Sequence, residues 1–145
     1  MAELVAPTGL RVNMLLCDAA QANNGKLFVL GGGLSVIGPK PQPLALAIHV
    51  TVPWDRANIA HQWKLDLVDE DGRPATIGDK PVSVTGRFEA GRPAGLRAGT
   101  PLGVALAINL TALRLKSGIG YSFVLDIDGE SPPAWRCQLF MRGPQ

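Results

Sequence analysis

His49, His61, Cys17 and Cys137 are the side chains of this sequence best suited to hold a transition metal, and they nominally form a two-Cys, two-His set. Structural zinc sites present ligands in close pairs such as Cys-x-x-Cys, because neighbouring donors reach the ion together. All four residues here are isolated from one another along the chain, so no metal site is expected. Asp126-Ile-Asp-Gly-Glu130 and Asp69-Glu-Asp-Gly72 each resemble a fragment of a calcium loop, with carboxylates near a glycine. An EF-hand also needs a third oxygen ligand, a distal bidentate Glu and flanking helices. Strand patterning runs straight into both segments instead, and they read as hairpin tips. The calcium alternative needs both tips at one end of the fold. Nucleophilic catalysis has no Gly-x-Ser-x-Gly elbow to build on, and no Ser or Cys sits in a nucleophile motif. Gly31-Gly32-Gly33 lacks both the Gly-x-Gly-x-x-Gly spacing and the Gly-Lys-Ser/Thr ending of phosphate loops. Three residues without Cβ serve instead to bend a strand or admit a neighbouring backbone. The chain is expected to be no enzyme, with no catalytic residue, cofactor or metal.

Such residues must be carried by strands. Leu102, Val104, Leu106, Ile108 and Leu110 alternate with smaller or polar residues, as do Tyr121, Phe123, Leu125 and Ile127. Period two is the signature of a strand with one buried face. Leu44 to Val50, Trp63 to Leu67, Val82 to Phe88 and Trp135 to Met141 repeat it. Val12 to Asp18 and Lys26 to Leu30 are read as a first hairpin, with Ala19 to Gly25 between them and Asn24-Gly25 at the turn. Asp55 to His61 has room for one helical turn with Asp55 as its N-cap. About eight strands result, and the expected fold is an all-β antiparallel sandwich, Greek-key or jelly-roll-like, with at most one short helical turn. Its 145 residues fit a single domain spanning 1–145, with 1–10 and 143–145 frayed. Seventeen glycines and 12 prolines suit many short elements joined by tight turns.

Charge and composition narrow the partners. Fourteen Lys and Arg against 12 Asp and Glu leave a net charge of +2, which neither demands nor excludes an acidic partner. Only 6% of residues are aromatic, and the rings mostly fall on apolar strand faces. The basic residues around Arg87, Arg92, Arg97 and Arg114 therefore lack the interleaved exposed rings of a single-strand nucleic-acid site, and no nucleic acid is expected. The first ten residues carry Glu3 and no basic stretch, which argues against a secretory signal, and no uncharged run is long enough to span a bilayer. A cytoplasmic protein without membrane insertion is expected.

Two features point to a surface function. The second faces of two strands read Ala45, Ala47, His49 and Gly103, Ala105, Ala107, where a face turned to water normally carries Lys, Glu, Thr or Arg. Side chains this small admit a further backbone layer, either another subunit or part of the monomer itself, which would bury a strand on both sides. Trp54 stands at a strand end, and Gly91 to Pro101, containing Arg92, Leu96 and Arg97, is the longest irregular stretch. Trp54, Arg92, Leu96, Arg97, Ala45, Ala47, Ala105 and Ala107 are the candidate partner-binding residues of a protein-binding or assembly module that self-associates. The alternative is a small-ligand or hydrolytic sandwich with a pocket at one loop end, using Asp18, Asp55 or Asp126.

Val12-Asn-Met-Leu-Leu-Cys-Asp-Ala-Ala-Gln21, Gly25-Lys-Leu-Phe-Val-Leu-Gly-Gly-Gly33, Val52-Pro-Trp-Asp55, Gly99-Thr-Pro-Leu102 and Gly120-Tyr-Ser-Phe-Val-Leu-Asp-Ile-Asp-Gly129 together resemble a family of small bacterial proteins. That family is common in actinobacteria and is labelled only as a domain of unknown function. The likeness runs from about Val12 to Arg142 and implies a compact β-fold, with no catalytic or binding residues to carry over. Where that pattern often has a ring after the triple glycine, this chain has Leu34.

Overall fold

The long alternating runs form the long strands of a computed structural model that describes residues 9–111 and 113–143. In chain order the strands are β1 (Arg11–Cys17), β2 (Ala19–Asn23), β3 (Lys26–Leu30), β4 (Val36–Ile37), β5 (Leu44–Val52), β6 (Ala60–Asp69), β7 (Thr76–Ile77), β8 (Lys80–Pro81), β9 (Ser83–Glu89), β10 (Leu102–Leu110), β11 (Ile119–Ile127) and β12 (Arg136–Met141). The described chain is thus all-β, with twelve strands rather than about eight. The additions are the two-residue strands β4, β7 and β8, too short for any period to show, and the alanine-rich β2. Trp54–Arg56 makes a single 3-10 turn that begins after Pro53, so Asp55 lies inside its first turn rather than capping it. Of the ends expected to fray, residues 1–8 and 144–145 lie outside the described residues. Leu10 is anchored in the core at 1% exposure, because its apolar side chain has a place between the sheets.

Two main sheets face each other. One has the order β1-β5-β10, and the other β4-β12-β11-β6-β9. All pairings are antiparallel except β4 with β12. Val50 of β5 stands between Val12 and Val104, and Ile48 between Met14 and Leu106. These side chains meet Leu65, Leu67, Phe123, Leu125 and Leu139 of the opposite sheet in one core. Burying a Leu, Ile or Phe stabilises by about 1.5–3 kcal/mol each, which is why the in-facing positions dictate the strand register. The out-facing side of the five-stranded sheet is polar and wet, with Lys64, Thr85, Arg87 and Gln138 along it.

The first hairpin differs from its expected form. Val12 to Asp18 does not pair with Lys26 to Leu30. The chain bends at Asp18, and the partner of β3 is β2, from Ala19↔Leu30 to Asn23↔Lys26. Asn24 and Gly25 do make the turn, at φ +52° and +73°, the left-handed values that this dipeptide accepts at little cost. The hairpin lies as a third layer on the outside of the three-stranded sheet. Cys17, Ala20, Ala45 and Ala47 form a second small core there, with Leu27 and Ala107 against it. β5 is consequently buried on both faces, with only His49 and Thr51 partly open.

Candidate functional site

The outer hairpin is held by one side chain as well as by apolar packing. Asn109 of β10 donates from Nδ2 to the Ala20 carbonyl at 2.8 Å and accepts the Ala20 N–H at 3.3 Å. The hairpin's base is closed by the Asp18 N–H on the Leu30 carbonyl, and the returning chain is tied to β1 by the N–H groups of Gly33 and Leu34 on the Leu16 carbonyl. The glycines work here as the sequence suggests: Gly31 and Gly33 have φ of +63° and +96°, and the side chains of Asp18 and Leu15 occupy the space where a Cβ on Gly31 or Gly32 would stand.

Strand alternation then determines what the hairpin shows to solvent. Ala20, Ala22, Leu27 and Val29 share the face turned to the sheet, which leaves Gln21, Asn23, Lys26, Phe28 and Leu30 on the other. Phe28 is 54% and Leu30 71% exposed on this outward face, while Leu15 and Val29, 42% and 36% exposed, meet at Gly32 on the side turned to the sheet. Lys26-Leu-Phe-Val-Leu30 carries the signal for this in sequence, since four consecutive apolar residues make both faces of a strand apolar. The missing step is to ask what covers the second face.

Of the residues singled out from sequence, Ala45 and Ala47 lie under the hairpin at 0% and 3% exposure. The layer that such small side chains admit is the chain's own, so no partner reaches these two. Ala105 and Ala107 are partly buried on the same outer face. Trp54 and the Gly91 to Pro101 loop do come together. Arg92 donates from Nε and Nη2 to the Trp54 carbonyl at 3.2 and 2.6 Å, and its guanidinium carbon lies 4.5 Å from the indole centroid. A cleft of about 490 Å³ beside them is lined by Arg11, Thr51, Pro53, Trp54, Asp55 and Pro101 among others. Leu96 and Arg97 are exposed further along the loop, where Thr100 closes a turn onto the Arg97 carbonyl at 2.6 Å. Arg87, Arg92 and Arg114 line three different concavities and form no common basic patch.

The first carboxylate of each acidic tip is engaged in its turn. The Asp69 carboxylate accepts the N–H groups of Asp71 and Arg73, and Asp126 accepts that of Gly129. Because β11 runs antiparallel to β6, with Tyr121 opposite Asp69 and Ile127 opposite Trp63, the two acidic tips stand at opposite ends of the sheet. They cannot share a calcium ion. Asp18, Asp55 and Asp126 are likewise dispersed: at the hairpin base, in the Trp54 cleft and on the wet face.

One constellation has no forerunner in sequence motifs. His61, 1% exposed and stacked on Phe88 at 5.1 Å, places Nδ1 2.6 Å from Asp128 Oδ2, and Asp128 Oδ1 accepts the Gln62 N–H at 2.9 Å. Burial works against ionisation of Asp128. Burial is the largest single influence, but the Gln62 and His61 hydrogen bonds and the charges of His61 and Arg56 together exceed it and hold this carboxyl below the usual range. A His–Asp pair of this kind orients an imidazole for base catalysis. Here His61 Nε2 is sealed in the interior, with no hydrogen-bond partner among the described residues, and no solute reaches it. The pair acts as a clamp between the β11–β12 turn and β6. Burial raises the pKa of both thiols, Cys17 and Cys137, which are free and near enough to influence each other. Among the described residues no helix is long and apolar enough to cross a membrane.

The chain belongs to DUF6941, a family of unknown function, whose sequence profile matches residues 13–139, from β1 to β12. No curated protein and no solved structure matches it.

Proposed function

We propose that this member of DUF6941 is a non-enzymatic protein-binding or assembly module that works through the outer face of its first hairpin. The observation that carries the reading is the exposed pair Phe28 and Leu30 on the outward face of that hairpin. Water-facing strands favour polar side chains, and an edge strand left apolar is an aggregation hazard unless a partner covers it. The well-ordered interior supports the same reading. The Asp69 and Asp126 carboxylates are committed to turns, and the His61–Asp128 pair keeps its second ring nitrogen closed off from solutes. The cytoplasm suits the two free cysteines, since thiols persist in a reducing compartment.

The test is the size of the protein's complexes in an extract of its native cell, comparing wild type with a Phe28→Glu, Leu30→Glu double variant whose fold is checked by circular dichroism. Wild type is expected to elute in an assembly and the variant as a single chain. A wild-type protein that elutes alone, or a variant that keeps the assembly, overturns the reading.

The cleft beside Trp54 favours a second reading, binding of a small ligand, because about 490 Å³ lies within the range of small-molecule sites. Arg11 and Asp55 would be its charged contacts, and Trp54→Ala would abolish a ligand-induced rise in melting temperature.

A further inference from the structure

We infer that a second copy of this chain joins the hairpin at its free edge, by antiparallel pairing of β3 with its equivalent about a two-fold axis through Phe28. The inference rests on the protein-binding reading above and specifies its partner.

Backbone geometry comes first. A two-residue turn makes the flanking pair Asn23–Lys26 exchange both of its hydrogen bonds, and the alternation of an antiparallel ladder then assigns Gln21–Phe28 the same role. The N–H and C=O groups of Leu27 and Val29 therefore point away from β2. β3 is the outer strand of its two-stranded sheet, and among the described residues no other strand pairs with it. Polar backbone groups of this kind along an apolar edge are a template for another strand. A two-fold axis at Phe28 sets Leu27 of one copy opposite Val29 of the other. It thereby satisfies the free groups of both residues in both copies. Phe28 faces its own equivalent as a non-hydrogen-bonded pair, the closer of the two pair types, with the rings on the outward face.

Side-chain charge selects the same arrangement. Lys26 is the only charged residue of β2 and β3. The two-fold operation carries it to the far end of the partner strand, opposite Leu30, with the exposed carboxylate of Asp18 one strand further across, against Gly31 and within the span of a lysine side chain. The opposite charge is thus waiting at both ends of the new ladder. A net charge of +2 adds little repulsion between copies. The seam is one short ladder with Phe28 at its centre, smaller than the roughly 800 Å² per partner of a standard interface. Exposed Gln21, Asn23, Lys26 and the three glycines supply the rim. An interface of this size suits a reversible dimer.

The test is sedimentation equilibrium of the purified full chain from about 1 to 200 µM, which is expected to show dimer growing with concentration. Phe28→Asp should abolish it. Lys26→Glu and Asp18→Lys should each weaken it about tenfold, and the two together should restore it to within about threefold of wild type. A separate Phe28→Cys variant should oxidise to a covalent dimer that wild type, with Cys17 and Cys137 in place, does not form. This readout also decides the matter if a charge variant fails to fold. A strictly monomeric wild type, a dimer indifferent to Phe28→Asp, or a Phe28→Cys chain that does not cross-link overturns the inference. If the purified chain is monomeric while the complex in cell extract persists, the second copy is wrong and the protein-binding reading stands. If both are monomeric, both fall.

Discussion

Removing the side chain that fastens the outer hairpin should loosen that hairpin and nothing else. Asn109→Ala takes away a bond of 2.8 Å and a longer one of 3.3 Å, both to the backbone of Ala20, which is 8% exposed. A neutral hydrogen bond contributes about 0.5–1.5 kcal/mol net, and a buried group left without a partner costs about 1–3 kcal/mol. Asn109 is itself exposed and water can reach the gap that it leaves, so about 2 kcal/mol is expected for the pair. The two main sheets keep their own ladders and core, and the loss should appear as local opening. Two kcal/mol raises the open fraction about 30-fold, since 1.4 kcal/mol is a factor of ten. Amide hydrogen exchange should therefore speed up about 30-fold across Ala19–Leu30 while β6 and β11 stay protected. Asn109→Asp, which keeps the acceptor and loses the donor, should fall between the two. Unchanged hairpin exchange, or equal acceleration in β6, would refute the view that Asn109 secures a separate layer.

Asp128→Asn should destabilise the fold at pH 7 by about 1 kcal/mol, because the charge-assisted bond to His61 becomes a neutral one and the partly exposed carboxylate is screened by water. The Asp128 carboxyl is held below its unfolded pKa, so its contribution is complete above that pKa and is lost as pH falls through the lower, folded value. Urea melts of both proteins should show a constant gap at neutral pH that closes below about pH 4. A gap that widens in acid would contradict this. Gly86→Ala should cost about 1–3 kcal/mol, because its Cβ would stand 2.5–2.8 Å from the Trp63 indole and the ring must shift. Thermal melting measures the loss, and a changed near-ultraviolet dichroism of tryptophan would locate it.

The strands that alternation picks out, β5, β6, β9, β10, β11 and β12, are those with large apolar residues on one face, where burial enforces the period. β2 escapes such reading because Ala19-Ala-Gln-Ala-Asn23 has no large side chain to alternate; small residues are what its seat against Ala45 and Ala47 requires. The need for a covering layer over Ala45, Ala47 and Ala107 is legible in sequence. Its source is not, because Asp18 turns the chain through an angle that local patterning does not encode. The meeting of Trp54 with the Gly91 to Pro101 loop is foreshadowed by a ring at a strand end beside irregular chain. The approach of His61 to Asp128 is not, since 67 residues separate them and only the β6–β11 register unites them.

The placement of the hairpin also governs the order in which the polypeptide can mature. Its twelve residues leave the ribosome early, but the berth that receives them is made from β5 and from β10, whose Asn109 is translated 89 residues after Ala20. Until that distal stretch emerges, both sides of Lys26–Leu30 are bare, and a nascent chain halted before it offers an apolar ribbon to any chaperone or neighbouring polypeptide. Truncations ending short of Leu110 should thus be insoluble, however many of the preceding strands they contain.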